Sequence, residues 1–180
     1  MQGALLARRL ARTTFLAVAA FVSATLVASD RFPERVPSHF DLAGKADAWM
    51  PAQQWISWML GTMAFVTLAF LALELLIAIV PRGWIHLPHR DLWLAPERER
   101  ATRSILVAHL YAIGLGTLLL IHWAARLGEN LGEGGATVIP RHDLVGALLP
   151  FLALCVLVTV RLHLRFRNPP TDPPPFESRV

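Results

Sequence analysis

Glu74 stands inside the run Phe70-Leu71-Ala72-Leu73-Glu74-Leu75-Leu76-Ile77, where every neighbour is apolar. An ionisable group so placed is costly unless it finds a partner, and it marks either a proton path or a structural hydrogen bond. Two other polar side chains, His109 and His122, interrupt a second apolar run. Glu74 falls about 9 Å from one end of its run at helical rise, and His109 lies at a similar depth in the next. A Glu74–His109 contact is therefore expected, able to relay protons or simply to close a hydrogen bond. His122 is about 20 Å further along and on a nearly opposite face, so the two histidines cannot share one site. His122 instead falls near a polar stretch with His39, Asp41 and Asp47. Those side chains offer nitrogen and oxygen ligands of the kind a divalent metal takes. The plainer reading is that Asp41 and Asp47 make and cap turns. His86 and His89 read as interfacial, and Asp91 and Glu97 as loop and helix-capping acids rather than a catalytic pair. No Ser/His/Asp, zinc-protease or nucleotide-binding arrangement is present, so no cofactor is expected.

These residues must be positioned by elements that live mostly in lipid. Of 180 residues, 54% are hydrophobic and 17% charged, and mean hydropathy is +0.46. Crossing a bilayer core takes about 20 mostly apolar residues. Four stretches meet or approach that length: Leu10–Ser29, Trp55–Val80, Ser104–Ala125 and Leu144–Val160. None alternates in the manner of a β-barrel strand. The expectation is an all-α membrane protein, a four-helix transmembrane bundle with a structured outer loop. Pro150 should kink the fourth span. The first span reads as a retained anchor, because its apolar stretch exceeds a signal peptide's core of about 7–15 residues.

Charge sets the orientation. Twelve of the seventeen Lys and Arg fall in the N-terminus, the 81–103 segment and the tail, and five in the two remaining loops. The positive-inside rule then puts both termini in the cytoplasm of an inner (cell) membrane protein. The pI near 10.5 has the same origin, and no nucleic-acid partner is expected. Residues 1–9 form the cytoplasmic N-terminus, 10–165 the membrane domain, and 166–180 a disordered tail rich in proline. The glycine-rich stretch Arg126–Asp143 reads as a flexible connector. Cys155 is the only cysteine.

Two motifs stand outside the spans. The outer one, residues 33–49, carries Pro33, Pro37, His39, Phe40, Asp41, Gly44, Asp47 and Trp49. Its prolines favour an extended path and Gly44 a turn, while Trp49, Trp55 and Trp58 suit re-entry into lipid. The inner one, residues 87–98, carries Pro88, Asp91, Trp93, Pro96, Glu97 and Arg98. Pro96 suits a first helical turn, with Glu97 and Glu99 favoured by the helix dipole. The third helix should begin there, and Glu99 can pair with Arg103 on its surface.

Both motifs resemble the bacterial membrane family known as domain of unknown function 1648, with His89 and Leu92 as departures from its pattern. The resemblance implies a small multi-pass protein related to immunity proteins against the sporulation-delay toxin, which also tether a repressor. It supplies no catalytic residues. Three readings follow. The first is a non-enzymatic membrane protein, immunity-like or signalling, whose outer loop recognises a peptide or protein partner. The second is a small proton-coupled transporter or accessory subunit using Glu74, which requires a homo-oligomer. The third is a membrane enzyme using His39 and Asp41.

Overall fold

A computed structural model describes residues 2–41, 43–131 and 138–169. In chain order the elements are α1 (Gln2–Val27), β1 (Arg35–Phe40), β2 (Ala46–Pro51), α2 (Ala52–Ile79), α3 (Arg90–Trp93), α4 (Pro96–Asn130) and α5 (Arg141–Phe166). A 3-10 turn, Arg82–Trp84, follows α2. Helices α1, α2, α4 and α5 are each long and apolar enough to cross a membrane, as the four apolar runs predict.

Each helix outruns its apolar stretch because, once nucleated, it extends through polar residues at little cost. Apolarity marks the contact with lipid, and prolines mark the ends. Pro96 stands at the first helical position of α4, with Glu97 and Glu99 in the first turn. Pro81 follows the end of α2. At 35 residues, α4 is about 52 Å long, well beyond an apolar core of about 30 Å. Its expected span, 104–125, is its middle.

The bundle is arranged around α4, which contacts α1, α2 and α5. The buried residues of α1 are Phe15, Ala19, Val22 and Leu26, spaced four, three and four apart so that one stripe meets its neighbours. Phe15 lies 5.0 Å from the Tyr111 ring of α4 and 5.5 Å from Phe70 of α2. That three-helix contact requires Gly114, where a Cβ would lie 2.8 Å from the Phe15 ring and 2.9 Å from Phe70. Helix α5 is peripheral, burying only Val158 and Phe166 among its residues. Its Leu149, Leu152, Val156 and Leu157 face outward, like Leu75 and Ile79 of α2. An apolar exterior of this kind suits lipid as solvent.

The two ends of the bundle differ. At one end lie the first turns of α1 and α4 and the last turns of α2 and α5. There Trp93 stacks edge-on to Phe166 at 5.1 Å and donates through Nε1 to the Asn168 carbonyl at 3.2 Å. Phe166 thus closes α5 at 1% exposure, and residues 170–180 of the proline-rich tail lie outside the described residues. At the other end Trp55 Nε1 donates to the Ala125 carbonyl at 3.1 Å, and the outer motif folds over the bundle. Residues 132–137 of the glycine-rich connector also lie outside the described residues.

The outer loop is more regular than its prolines suggest. β1 and β2 form an antiparallel hairpin with Arg35 opposite Pro51, Val36 opposite Met50 and Pro37 opposite Trp49. The Gly44 carbonyl accepts from Ile139 N at 3.0 Å, tying the hairpin to the connector ahead of α5.

Candidate functional site: a histidine–aspartate pair on the hairpin

The hairpin turn is built from two residues. Asp41 Oδ1 accepts from the backbone N–H of Ala43 at 2.9 Å and of Lys45 at 2.8 Å. Gly44 takes the left-handed conformation, φ +79°, that other side chains adopt at a cost. Both fulfil the turn-making roles their types suggest. Asp41 is thereby engaged with its own backbone.

Asp47 has a different role. Past Pro37 the register shifts twice: His39 lies opposite Ala48, then Phe40 opposite Ala46. Ser38 on β1 and Asp47 on β2 are the extra residues of two compensating bulges, a device that re-aims side chains locally. His39 Nδ1 comes to 2.6 Å from Asp47 Oδ1, with the side chains 69% and 48% exposed. Earlier on the same strand, Val36 is fully buried and Pro37 is buried beside it. The hairpin therefore has an anchored root and presents an imidazole–carboxylate pair to the surroundings. The carboxylate fixes the ring through Nδ1 and leaves Nε2 for an outside partner.

The remaining outer-motif residues shape this platform. Phe40 and Trp49 are half-buried, and the Trp49 carbonyl accepts from Arg35 Nη2 at 3.3 Å. Pro33 is half-buried in the approach to β1. His122 does not reach the hairpin histidine. Its Nδ1 is buried without a hydrogen-bond partner, in α4. Among the described residues no three His, Cys, Asp or Glu side chains converge as metal ligands would.

At the other end, Glu74 is 5% exposed but its partner is not His109. Arg8 Nε donates to Glu74 Oε1 at 2.7 Å, Tyr111 donates its hydroxyl to Oε2, and Arg12 stands 3.8 Å away. His109 Nδ1 lies 2.8 Å from the Ile105 carbonyl of its own helix. Depth alone suggested His109, but two residues along a helix turn the direction by about 200°. Tyr111 faces Glu74, so His109 cannot. The three polar groups join α1, α2 and α4.

The inner motif forms a clasp. Asp91 is exposed and pairs with Arg90 at 3.2 Å, while Pro88 and Glu97 are exposed. Trp93 and Leu94 are buried, and the Trp93 carbonyl accepts from the Thr102 hydroxyl at 2.7 Å. Arg98 N donates to the Ala95 carbonyl at 2.9 Å in the first turn begun by Pro96. Glu99 Oε1 accepts from Arg103 Nε at 2.9 Å, the expected pair, and Oε2 from Arg82 Nε at 2.8 Å. Arg103 also donates to the carbonyls of Ile77 and Val80, capping the end of α2.

Several residues of this kind carry no sequence signal. Ser29 donates to Glu129, which Arg126 pairs at 2.7 Å, and Gly128 leaves room for Trp55 Nε1, 3.0 Å from where its Cβ would stand. Their partners are about a hundred and about seventy residues away in sequence, and Glu129 lies in the glycine-rich stretch Arg126–Asp143, where a charge gives no signal.

No curated protein and no solved structure matches the chain. Over residues 15–65, from the middle of α1 through the hairpin and into α2, the chain matches the family model described as Domain of unknown function (DUF1648).

Proposed function

We propose that this chain is a non-enzymatic multi-pass membrane protein whose hairpin recognises a peptide or protein segment outside the membrane, in an immunity-like or signalling role. The observation that carries this reading is the His39–Asp47 pair, 2.6 Å apart and exposed on both members. Compensating bulges aim it outward, and a buried Val36–Pro37 root holds its base. A pre-ordered polar platform loses little entropy on binding. The concentration of arginines at the opposite end supports an outward-facing hairpin.

Photo-crosslinking in intact cells tests the reading, with a crosslinker in place of Ser38. An adduct with one defined partner is expected. His39→Ala or Asp47→Ala should reduce it by about tenfold, the equivalent of losing one charge-assisted hydrogen bond. An adduct indifferent to both substitutions would remove the basis of the proposal.

The geometry favours this reading over the two others. A proton-coupled transporter or accessory subunit needs Glu74 to gain and lose a proton, whereas Arg8 and Tyr111 occupy its two oxygens. An enzyme using His39 with Asp41 needs a carboxylate that the turn already engages.

A further inference from the structure

A cleft of about 290 Å³ opens at the arginine-rich end of the bundle, lined by Arg8 of α1, Ala78 of α2, and Pro96, Glu99, Arg100 and Arg103 of α4. Its charge is unbalanced. Arg8, Arg12, Arg82, Arg100 and Arg103 surround two carboxylates, Glu74 and Glu99. Glu99 is turned to Arg82 and Arg103, which mutes its repulsion of an incoming anion. Arg8 and Arg103 are held in fixed orientations by their partners. The Arg100 side chain is exposed and makes no hydrogen bond or ion pair among the described residues. The wall beside the cleft is apolar: Leu75 and Ile79 share the Ala78 side of α2 and are 61% and 69% exposed.

From this juxtaposition we infer that the cleft seats the phosphate of an anionic phospholipid, with Arg100 as its principal donor and an acyl chain along Leu75 and Ile79. Guanidinium and phosphate match in geometry and charge, and basic hollows between membrane helices at the headgroup level suit anionic lipids. A zwitterionic headgroup brings its own cation and gains less from the excess positive charge. A free phosphate would use the same arginines but gain nothing from the Leu75–Ile79 face.

Native mass spectrometry of the detergent-solubilised full chain, offered equal phosphatidylglycerol and phosphatidylcholine, tests the assignment. One phosphatidylglycerol should be retained in preference, and Arg100→Gln should lower that preference about fivefold, as expected for one arginine at a charged lipid surface. Arg161→Gln, an exposed arginine on α5, should leave it intact, and Arg100→Lys should restore part of it. Since Arg100 is exposed, its replacement does not threaten the fold. Equal retention of both lipids, or equal losses from Arg100→Gln and Arg161→Gln, would reduce the effect to general surface charge and overturn the inference. Displacement of the bound lipid by millimolar inorganic phosphate would assign the cleft to a soluble anion and overturn the lipid assignment.

Discussion

Glu74 is 5% exposed, and a carboxylate removed from water is tolerated only where donors replace its hydration. Arg8 and Tyr111 supply them, so the group locks α1, α2 and α4 together. Removing the carboxylate strands the Arg8 guanidinium, whose side chain is 32% exposed. The penalty should be about 2 kcal/mol, below the about 3–5 kcal/mol of a fully buried pair because water still reaches the arginine. Glu74→Ala should therefore lower the thermal unfolding midpoint in detergent clearly. Tyr111→Phe should lower it less, by the equivalent of about 1 kcal/mol for one hydrogen bond. Unchanged midpoints in both would mean that the triad holds nothing. Glu74 itself was legible in the sequence because charge within an apolar run has few explanations. Its partner was not. Arg8 precedes the apolar run of α1, and its long side chain reaches inward along the helix surface, a reach that residue spacing does not encode.

Helix α4 makes its contacts through two glycines that read alike in sequence and behave differently in space. At Gly114 an added methyl meets two aromatic rings, Phe15 and Phe70, at 2.8 and 2.9 Å. At Gly116 it meets the flexible tip of Leu154 at 2.6 Å, and Phe151 at 3.2 Å. Stiff rings in a filled core cannot retreat, so Gly114→Ala should cost about 1–3 kcal/mol. Gly116→Ala should cost less, because Leu154 can change rotamer. Paired thermal scans decide it, and equal effects would contradict the packing. Gly61 meets nothing within 4 Å, yet it too is a glycine in an apolar helix, which is why sequence could not separate them. The hairpin offers a parallel test. Gly44→Ala forces a Cβ into φ +79°, about 1–2 kcal/mol of strain, and should speed hydrogen exchange across β1 and β2. Gly44→Asn should do so less. The turn was legible from Asp41 and Gly44, whereas the strands were hidden by Pro37 and by bulges that break the alternation a strand normally writes into sequence.

At the scale of the whole molecule, lipid erases the pattern that would reveal which helix is central. The outward face of a membrane helix is as apolar as its inward face, so the number of crossings is readable and the neighbours are not. Four helices were legible by length. That α4 is the hub and α5 peripheral follows from which side chains interlock, such as Phe15 against Tyr111. Charge survives this erasure, and the clustering of arginine beside the first turns of α1 and α4 and the last turns of α2 and α5 gives the bundle a polarity. Everything proposed for the hairpin rests on its facing away from the cytoplasm. The direct test replaces Cys155, the only cysteine, by serine and introduces a single cysteine at Lys45 or at Glu97, both exposed. A membrane-impermeant maleimide should label Lys45→Cys in intact cells and Glu97→Cys only once the membrane is opened. Labelling of both positions alike in intact cells, or the reverse order, would contradict the account.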